Sequence, residues 1–244
     1  MNKKMSRILS IGIIILLASS GITACLIGLI GQTNDTDHDH DHDHNHNHTH
    51  LGIRVACVGD SLTQSTEYPY QLMGKLGDDY DLHNFGVGGT TVALASETPY
   101  MSTNAFQSAL DFNPDIVIIM LGTNDAQPSL FQYNTTFVEN YTTLIRAFQK
   151  LPSNPKIWLV QPPPIFSDCG GLISPTYFEQ TIIPSIKQVG SKTNVPVIDV
   201  YSLLIDYPEY FPDGIHPTQS PDIIGNEPAA QIIATAIYKA ITAP

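Results

Sequence analysis

Short hydrophobic runs alternate with longer amphipathic stretches along most of the chain after Leu51. The short runs, rich in β-branched residues, predict strands, and the longer stretches, with apolar residues three and four positions apart, predict helices. The predicted strands are residues 53–58, 81–85, 116–121, 156–161 and 195–199. The predicted helices are residues 68–76, 104–112, 131–150, 175–191 and 227–241.

The third predicted strand, residues 116–121, is apolar at every position. This pattern is typical of a parallel strand that helices cover on both faces. Regular alternation of strands and helices favours right-handed crossover connections. The sequence therefore predicts an α/β fold, a three-layer α/β/α sandwich around a doubly wound, mainly parallel five-stranded sheet. In such a sheet the functional site lies beyond the carboxyl ends of the strands.

Residues 1–31 have the pattern of an export segment. Three cations within the first seven residues precede an uncharged, mostly apolar run, as in a signal peptide. That run of ~23 residues, at ~1.5 Å per residue, would measure about 34 Å and could cross a bilayer core of ~30 Å. The cations would keep the N-terminus in the cytoplasm. We therefore interpret residues 1–31 as a signal peptide or a membrane anchor.

The sequence around Cys25 leaves a third alternative open. Ile22-Thr23-Ala24-Cys25 is similar to a bacterial lipoprotein box, although the apolar residues that follow it do not favour this alternative. All three alternatives predict that the rest of the chain lies outside the cytoplasm. The protein would be anchored at the cell surface through the membrane, or secreted where the segment is cleaved.

Residues 32–51 are predicted to form a disordered tether. Seven histidines between His38 and His50 alternate with aspartate, asparagine and threonine. Almost no apolar side chain is present to offset the entropy lost on ordering. Imidazoles beside carboxylates could gather Zn²⁺ or Ni²⁺. The tract is therefore either a solvated spacer with adventitious metal binding or a dedicated metal-binding segment.

Charge and cysteine content narrow the possible functions. The chain has 11 basic and 23 acidic residues, for a net charge of −12, which would repel phosphate backbones and argues against a nucleic-acid partner. Its three cysteines lie far apart, without the spacing of a metal site. We expect Cys57 and Cys169 to be free thiols.

Four short motifs lie where a site is expected, three at the ends of predicted strands and one before the last predicted helix. They are Gly59-Asp60-Ser61-Leu62, Asn84-Phe85-Gly86-Val87-Gly88-Gly89, Gly122-Thr123-Asn124-Asp125 and Asp213-Gly214-Ile215-His216-Pro217. Each alone is common in turns. Together and in this order they resemble the GDSL family, also called SGNH hydrolases after four residues that correspond here to Ser61, Gly89, Asn124 and His216.

The residue types agree with acyl-transfer chemistry. A serine hydroxyl attacks only when a base removes its proton, and histidine titrates near neutral pH. Asp213 lies three residues before His216, close enough to orient the imidazole. We therefore predict a Ser61, Asp213, His216 triad. His83 lies in or beside the second strand, where we find no carboxylate at a useful spacing, and we interpret it as structural.

The attacked carbonyl becomes an oxyanion, which needs hydrogen-bond donors already in place. We predict that the backbone N–H groups of Ser61 and Gly89 and the side-chain amide of Asn124 supply them.

The resemblance covers residues 52–244, which we expect to be the catalytic domain, and implies a flavodoxin-like SGNH hydrolase fold. It also implies a serine esterase without metal or cofactor that removes short acyl groups, chiefly acetyl, from a small-molecule or carbohydrate ester. Two alternatives stay open: a lysophospholipase or thioesterase acting on longer chains, and a surface metal-binding protein that uses the histidine tract. One departure is that residues 218–226 form a longer link to the last helix than the family usually has.

Overall fold

The computed structural model describes residues 52–217 and 227–243. The predicted export segment (1–31), the predicted tether (32–51) and the long link (218–226) lie outside the described residues. None of the described helices is both long enough and apolar enough to cross a membrane.

A single five-stranded sheet organises the described chain, and its strand order is β2-β1-β3-β4-β5. All four strand pairs are parallel, which confirms the predicted α/β architecture. The order reverses between β1 and β3, so the chain leaves these two central strands in opposite directions and opens a crevice at their carboxyl ends. The strands are β1 Ile53–Gly59, β2 Tyr80–Gly86, β3 Ile116–Met120, β4 Lys156–Gln161 and β5 Val197–Asp199.

Helices cover both faces of the sheet. Those described are α1 Ser61–Gln64, α2 Tyr68–Leu76, α3 Asn104–Asp111, α4 Asn134–Gln149, α5 Pro175–Tyr177, α6 Ile183–Thr193, α7 Val200–Leu204 and α8 Pro228–Ile241. Helices α3, α4 and α6 contribute to the core on one face, and α2, α7 and α8 to the core on the other. Short 3₁₀ turns span Tyr100–Ser102, Asn124–Ala126, Pro128–Tyr133 and Pro208–Tyr210.

The two cores share the central strands by alternation, because successive side chains of a strand point to opposite faces. Ala56 and Val58 of β1 pack into one core, whereas Val55 and Cys57 pack into the other. Every residue of β3 is buried. The continuous apolar run that the sequence showed there is explained by burial on both faces.

Two predicted helices are interrupted in the structure. Residues 131–150 divide into the end of a 3₁₀ turn and α4, and residues 175–191 divide into α5, a π-helical turn at Phe178–Ile182, and α6. The π turn lies just before Pro184, which has no backbone N–H to donate to the preceding turn. There the Ile183 N–H donates to the Phe178 carbonyl instead, the wider pattern of a π-helix.

The two cysteines in the described residues differ in their bonding. Cys57 is a free thiol buried in the sheet, as expected. Cys169 is disulfide-bonded, so the expectation of a free thiol is wrong there. Sequence spacing could not reveal this bond, because the fold can bring distant cysteines together.

Two helical glycines provide a test of the packing. A Cβ on Gly190 of α6 would lie 2.4 Å from Val197 Cγ2, whereas a Cβ on Gly74 of α2 would meet no atom within 4 Å. Gly190→Ala is therefore expected to destabilise the fold by about 1–3 kcal/mol through overpacking. Gly74→Ala is expected to stabilise it by about 0.5–1 kcal/mol by reducing unfolded-chain entropy. Urea denaturation followed by circular dichroism measures both, and shifts of the same sign would contradict the described packing.

Candidate active site

Ser61 lies at the carboxyl end of β1 as the first residue of α1. The preceding Asp60 caps this helix, because its Oδ1 accepts a hydrogen bond from the Leu62 N–H at 3.0 Å. The turn also requires Gly59, where a Cβ would lie 2.0 Å from Thr63 Oγ1 and 2.6 Å from the Met120 carbonyl oxygen. Sequence and packing together therefore hold the serine above the sheet.

The loop after β2 packs directly on α1. A Cβ on Gly86 would lie 2.3 Å from the backbone nitrogen of Gln64, and the Gly88 N–H donates to Gln64 Oε1 at 2.7 Å. Gly89 differs, because its φ of +75° favours glycine while a Cβ there would meet no atom within 4 Å. Gly89 therefore borders open space, and its neighbour Gly88 lies beside Ser61, because a Cβ on Gly88 would be 3.7 Å from Ser61 Cβ.

Asn124 follows β3 at the start of a 3₁₀ turn and is only 7% exposed. Its Nδ2 donates one hydrogen to the Thr90 carbonyl at 3.0 Å, which leaves the second hydrogen of the amide available. Among the described residues no acceptor engages the backbone N–H of Ser61 or of Gly89. The structure thus brings the predicted oxyanion donors to the ends of three adjacent strands.

His216 and Asp213 reach Ser61 from a turn distant in sequence. The His216 Nε2 lies 2.8 Å from Ser61 Oγ, and its Nδ1 lies 2.7 Å from Asp213 Oδ2. The other Asp213 oxygen accepts backbone N–H groups from Ile215 at 2.8 Å and His216 at 2.6 Å. The carboxylate therefore fixes both the turn and the ring, and the three predicted residues form one hydrogen-bonded line.

Burial and charge act against each other on this line. Desolvation lowers the pKa of His216, but the hydrogen bond to Asp213 and the charges of Asp213 and Asp60 outweigh it, and the net pKa is raised. Desolvation raises the pKa of Asp213, but hydrogen bonds from His216 and the neighbouring backbone hold its pKa below the usual value. The pair is therefore poised to carry a positive ring beside a negative carboxylate.

Two further carboxylates, Asp60 and Asp125, are buried beneath the site, and the sequence patterns assigned no role to either. Burial raises the pKa of Asp60 to about 6 and that of Asp125 to about 7. Each belongs to one of the four motifs, beside the residue that the motif predicts to be catalytic. A charged residue after a wholly apolar strand was the signal that could have identified Asp125.

The structure leaves His83 away from this line, on edge strand β2. The interpretation that no carboxylate lay at a useful spacing was wrong, because Asp81 Oδ1 is 3.0 Å from His83 Nε2. Residues two apart point to the same face of a strand, which explains the pairing. The ring also packs against Phe112, with the ring centroids 4.5 Å apart and the planes tilted by 39°.

Within the described parts of the chain, no group of three or more His, Cys, Asp or Glu side chains is arranged to hold a metal ion. The histidine tract lies outside those parts.

A family model connects this geometry with known proteins. Residues 57–220 match the model of the GDSL-like Lipase/Acylhydrolase family, which covers more than half of the chain. The chain belongs to this family.

Relatives of this GDSL-family chain include esterases. An acetylxylan esterase of Xylanibacter ruminicola is 35% identical over 211 residues, which cover 76% of this chain and 43% of that protein. The chain thus spans less than half the length of that relative.

Solved structures share the fold of the described chain. An aryl esterase of M. smegmatis superposes with a TM-score of 0.59 at 20% identity and covers 78% of this chain and 98% of its own. A carbohydrate acetylesterase from Sinorhizobium meliloti also has a TM-score of 0.59 at 20% identity, with 77% and 97% covered. At this level of identity the likeness concerns the fold.

The raised pKa of His216 can be measured. Asp213→Asn is expected to lower this pKa, because the negative charge that stabilises the protonated ring is lost while the amide oxygen can still accept from Nδ1–H. The ring in the variant would then lose its proton at a lower pH than in the wild type. NMR titration of the His216 ring, assigned with a His216→Asn variant, measures both values. Asp115→Asn, at the opposite end of the sheet, is the control, and an unchanged or raised pKa in Asp213→Asn would contradict the geometry.

Proposed function

We propose that this GDSL-family chain is a serine esterase that hydrolyses short-chain carboxylic esters, chiefly acetyl esters of carbohydrate, with Ser61 as the nucleophile. The observation that carries the proposal is the continuous line from Ser61 Oγ through the His216 ring to Asp213 Oδ2. Such a line is the arrangement that nucleophilic catalysis by serine needs.

Each atom of the line has a role in the proposed reaction. His216 Nε2 accepts the hydroxyl proton as Ser61 Oγ forms a bond to the ester carbonyl carbon. Asp213 stabilises the imidazolium that results, without taking the proton. His216 then gives the proton to the departing alcohol oxygen, which leaves an acyl-enzyme. In the second half of the reaction His216 takes a proton from water as the water oxygen attacks the acyl carbon. The bond from that carbon to Ser61 Oγ then breaks, His216 returns the proton to Oγ, and the acid is released.

The negative carbonyl oxygen of the intermediate would accept hydrogen bonds from the Ser61 and Gly89 N–H groups and from the second amide hydrogen of Asn124. Asn124 is already fixed by its bond to Thr90. Donors held in place before the reaction need no reorganisation when charge develops.

Aromatic side chains support a carbohydrate alcohol. Tyr207, which is 39% exposed, stacks on Tyr210 with the rings 5.1 Å apart and 5° from parallel. This pair lies in the segment that leads to Asp213 and His216. His216 must protonate the departing alcohol, so the alcohol lies on the His216 side of the site. Flat aromatic surfaces with hydroxyl groups can pack on a sugar face and bond its hydroxyls.

The acetyl preference is supported by the acetylxylan esterase relative. A second candidate is a lysophospholipase or thioesterase. Phe131 and Tyr177 stack at 3.8 Å beyond the Asn124 turn, and Leu172 is 54% exposed. These apolar groups favour this candidate, because they offer a surface on which a longer acyl chain can pack.

The location of the enzyme is also part of the proposal. Residues 1–31 would export the catalytic domain and hold it at the cell surface, or release it after cleavage. The charge pattern and the length of the apolar run support this proposal. Residues 32–51 would then be the tether between the membrane and the domain.

Ser61→Ala is expected to abolish ester hydrolysis and to leave the fold intact, because it removes the nucleophile and little packing. Loss of a triad member typically costs ~10⁴-fold in kcat. A fluorophosphonate probe should label the wild type and not this variant. Ser65→Ala, one turn further along and exposed, is the matched control and should keep both activity and labelling. Activity above about a hundredth of wild type in Ser61→Ala would refute the assignment.

The preferred acyl chain is tested by comparing kcat/KM for p-nitrophenyl acetate and p-nitrophenyl octanoate, with acetate release from an acetylated xylo-oligosaccharide measured alongside. We expect the acetate ester to be the better substrate and the oligosaccharide to release acetate. A preference for octanoate above tenfold, equivalent to ~1.4 kcal/mol in the transition state, together with no acetate release, would favour the second candidate.

A further inference from the structure

A buried carboxylate that the proposed reaction does not use lies beside the oxyanion donors. Asp125 directly follows Asn124 and is only 4% exposed. Its Oδ2 accepts the Val92 N–H at 2.9 Å, and its Oδ1 accepts the Ala93 N–H at 2.9 Å. Both oxygens of one side chain therefore hold consecutive backbone amides of the loop after β2.

This loop also carries Gly89. Asn124 holds the loop from the same 3₁₀ turn, through its bond to the Thr90 carbonyl. Two neighbouring residues thus hold the loop with opposite polarity, one by donating and one by accepting. The separation between the Gly89 N–H and the Asn124 amide depends on both contacts.

Burying the Asp125 carboxylate costs free energy, because its charged form loses contact with water. A contact with a purely structural role would not need that charge. Desolvation raises its pKa, and the nearby charge of Asp60 acts in the same direction. No basic side chain forms an ion pair with it in residues 52–217 or 227–243. An asparagine of the same shape would avoid the charge, but its NH₂ group would face one of the two N–H donors. Only a group that accepts through both oxygens satisfies both amides.

We propose that Asp125 is a positioning residue of the oxyanion hole, which sets the distance between Gly89 and Asn124 by fixing the loop at Val92 and Ala93. It touches neither the substrate nor the reacting atoms, and acts through the two donors. The proposal rests on the esterase function proposed above.

Asp125→Asn tests the role, because it keeps the volume and removes one of the two acceptors. The expected result is a decrease in kcat of about 10–100-fold with KM changed less than about twofold, since the oxyanion forms mainly in the transition state. Asp115→Asn is the matched control. Asp115 also accepts a backbone N–H, that of Arg54 at 2.9 Å, but at the far end of β1, so this variant can lose stability and should keep kcat.

A double-mutant cycle with Asn124→Ala separates positioning from stability. If Asp125 acts through the hole, the double variant should lose much less activity than the product of the two single losses. Independent structural damage would instead multiply the losses. All rates are measured well below the melting temperature of each variant, with folding checked by circular dichroism.

The outcomes are distinct. A kcat of Asp125→Asn within twofold of wild type, a change confined to KM, or multiplicative losses would overturn the proposal while Ser61→Ala still defines the esterase. Absence of wild-type esterase activity and of fluorophosphonate labelling would overturn the proposed function itself, and this inference with it. If Asp125→Asn does not fold, Asp125→Ser, which keeps one acceptor without an amide donor, is measured in the same way. Failure of both to fold would assign Asp125 a structural role and reject positioning.

Discussion

The ends of β1, β2 and β3 pack against one another and against α1 so closely that backbone atoms are in contact. The site depends on that close approach. The turn from β1 into α1 must fit against the end of β3, and the loop after β2 must fit against α1. Side chains at Gly59 or Gly86 would overlap Thr63, Met120 or the Gln64 backbone. Because the glycines permit this contact, Ser61, Gly89 and Asn124 reach the same crevice between β1 and β3, where the strand order reverses.

The charge distribution around this crevice is one-sided. The charges of Asp60 and Asp213 act on the His216 imidazole, and a third carboxylate, Asp125, is buried close enough to Asp60 to feel its charge. The anions of Asp60 and Asp213 both raise the pKa of His216. In the proposed reaction they would stabilise the imidazolium that forms during attack. Because they raise this pKa, His216 becomes the neutral base only at a higher pH. The same carboxylates therefore favour the charged intermediate and disfavour the neutral base that starts the reaction.

Sequence patterns predicted the elements that have a local cause. The apolar run of β3 follows from burial on both faces, and the pairing of Asp213 with His216 follows from a separation of three residues. The proximity of Ser61 to His216 was available only through the resemblance to a family, because 155 positions separate them and no local rule connects them. The bond between Asp125 and the loop after β2 had no sequence signal at all, since its partners are backbone N–H groups 32 and 33 positions away.

The two halves of the site are positioned by different means. The oxyanion donors come from the ends of β1, β2 and β3. The connecting loop is tied to that frame by a hydrogen bond donated by Asn124 and by hydrogen bonds that Gln64 and Asp125 accept. His216 and Asp213 belong to a tight turn instead, which contacts the segment after β4 through a bond from the Phe166 N–H to the Gly214 carbonyl at 2.7 Å. Small shifts between these two units change the Ser61 to His216 distance without changing the hole. Substitutions in the turn should therefore act mainly on proton transfer, whereas substitutions in the loop should act mainly on the oxyanion.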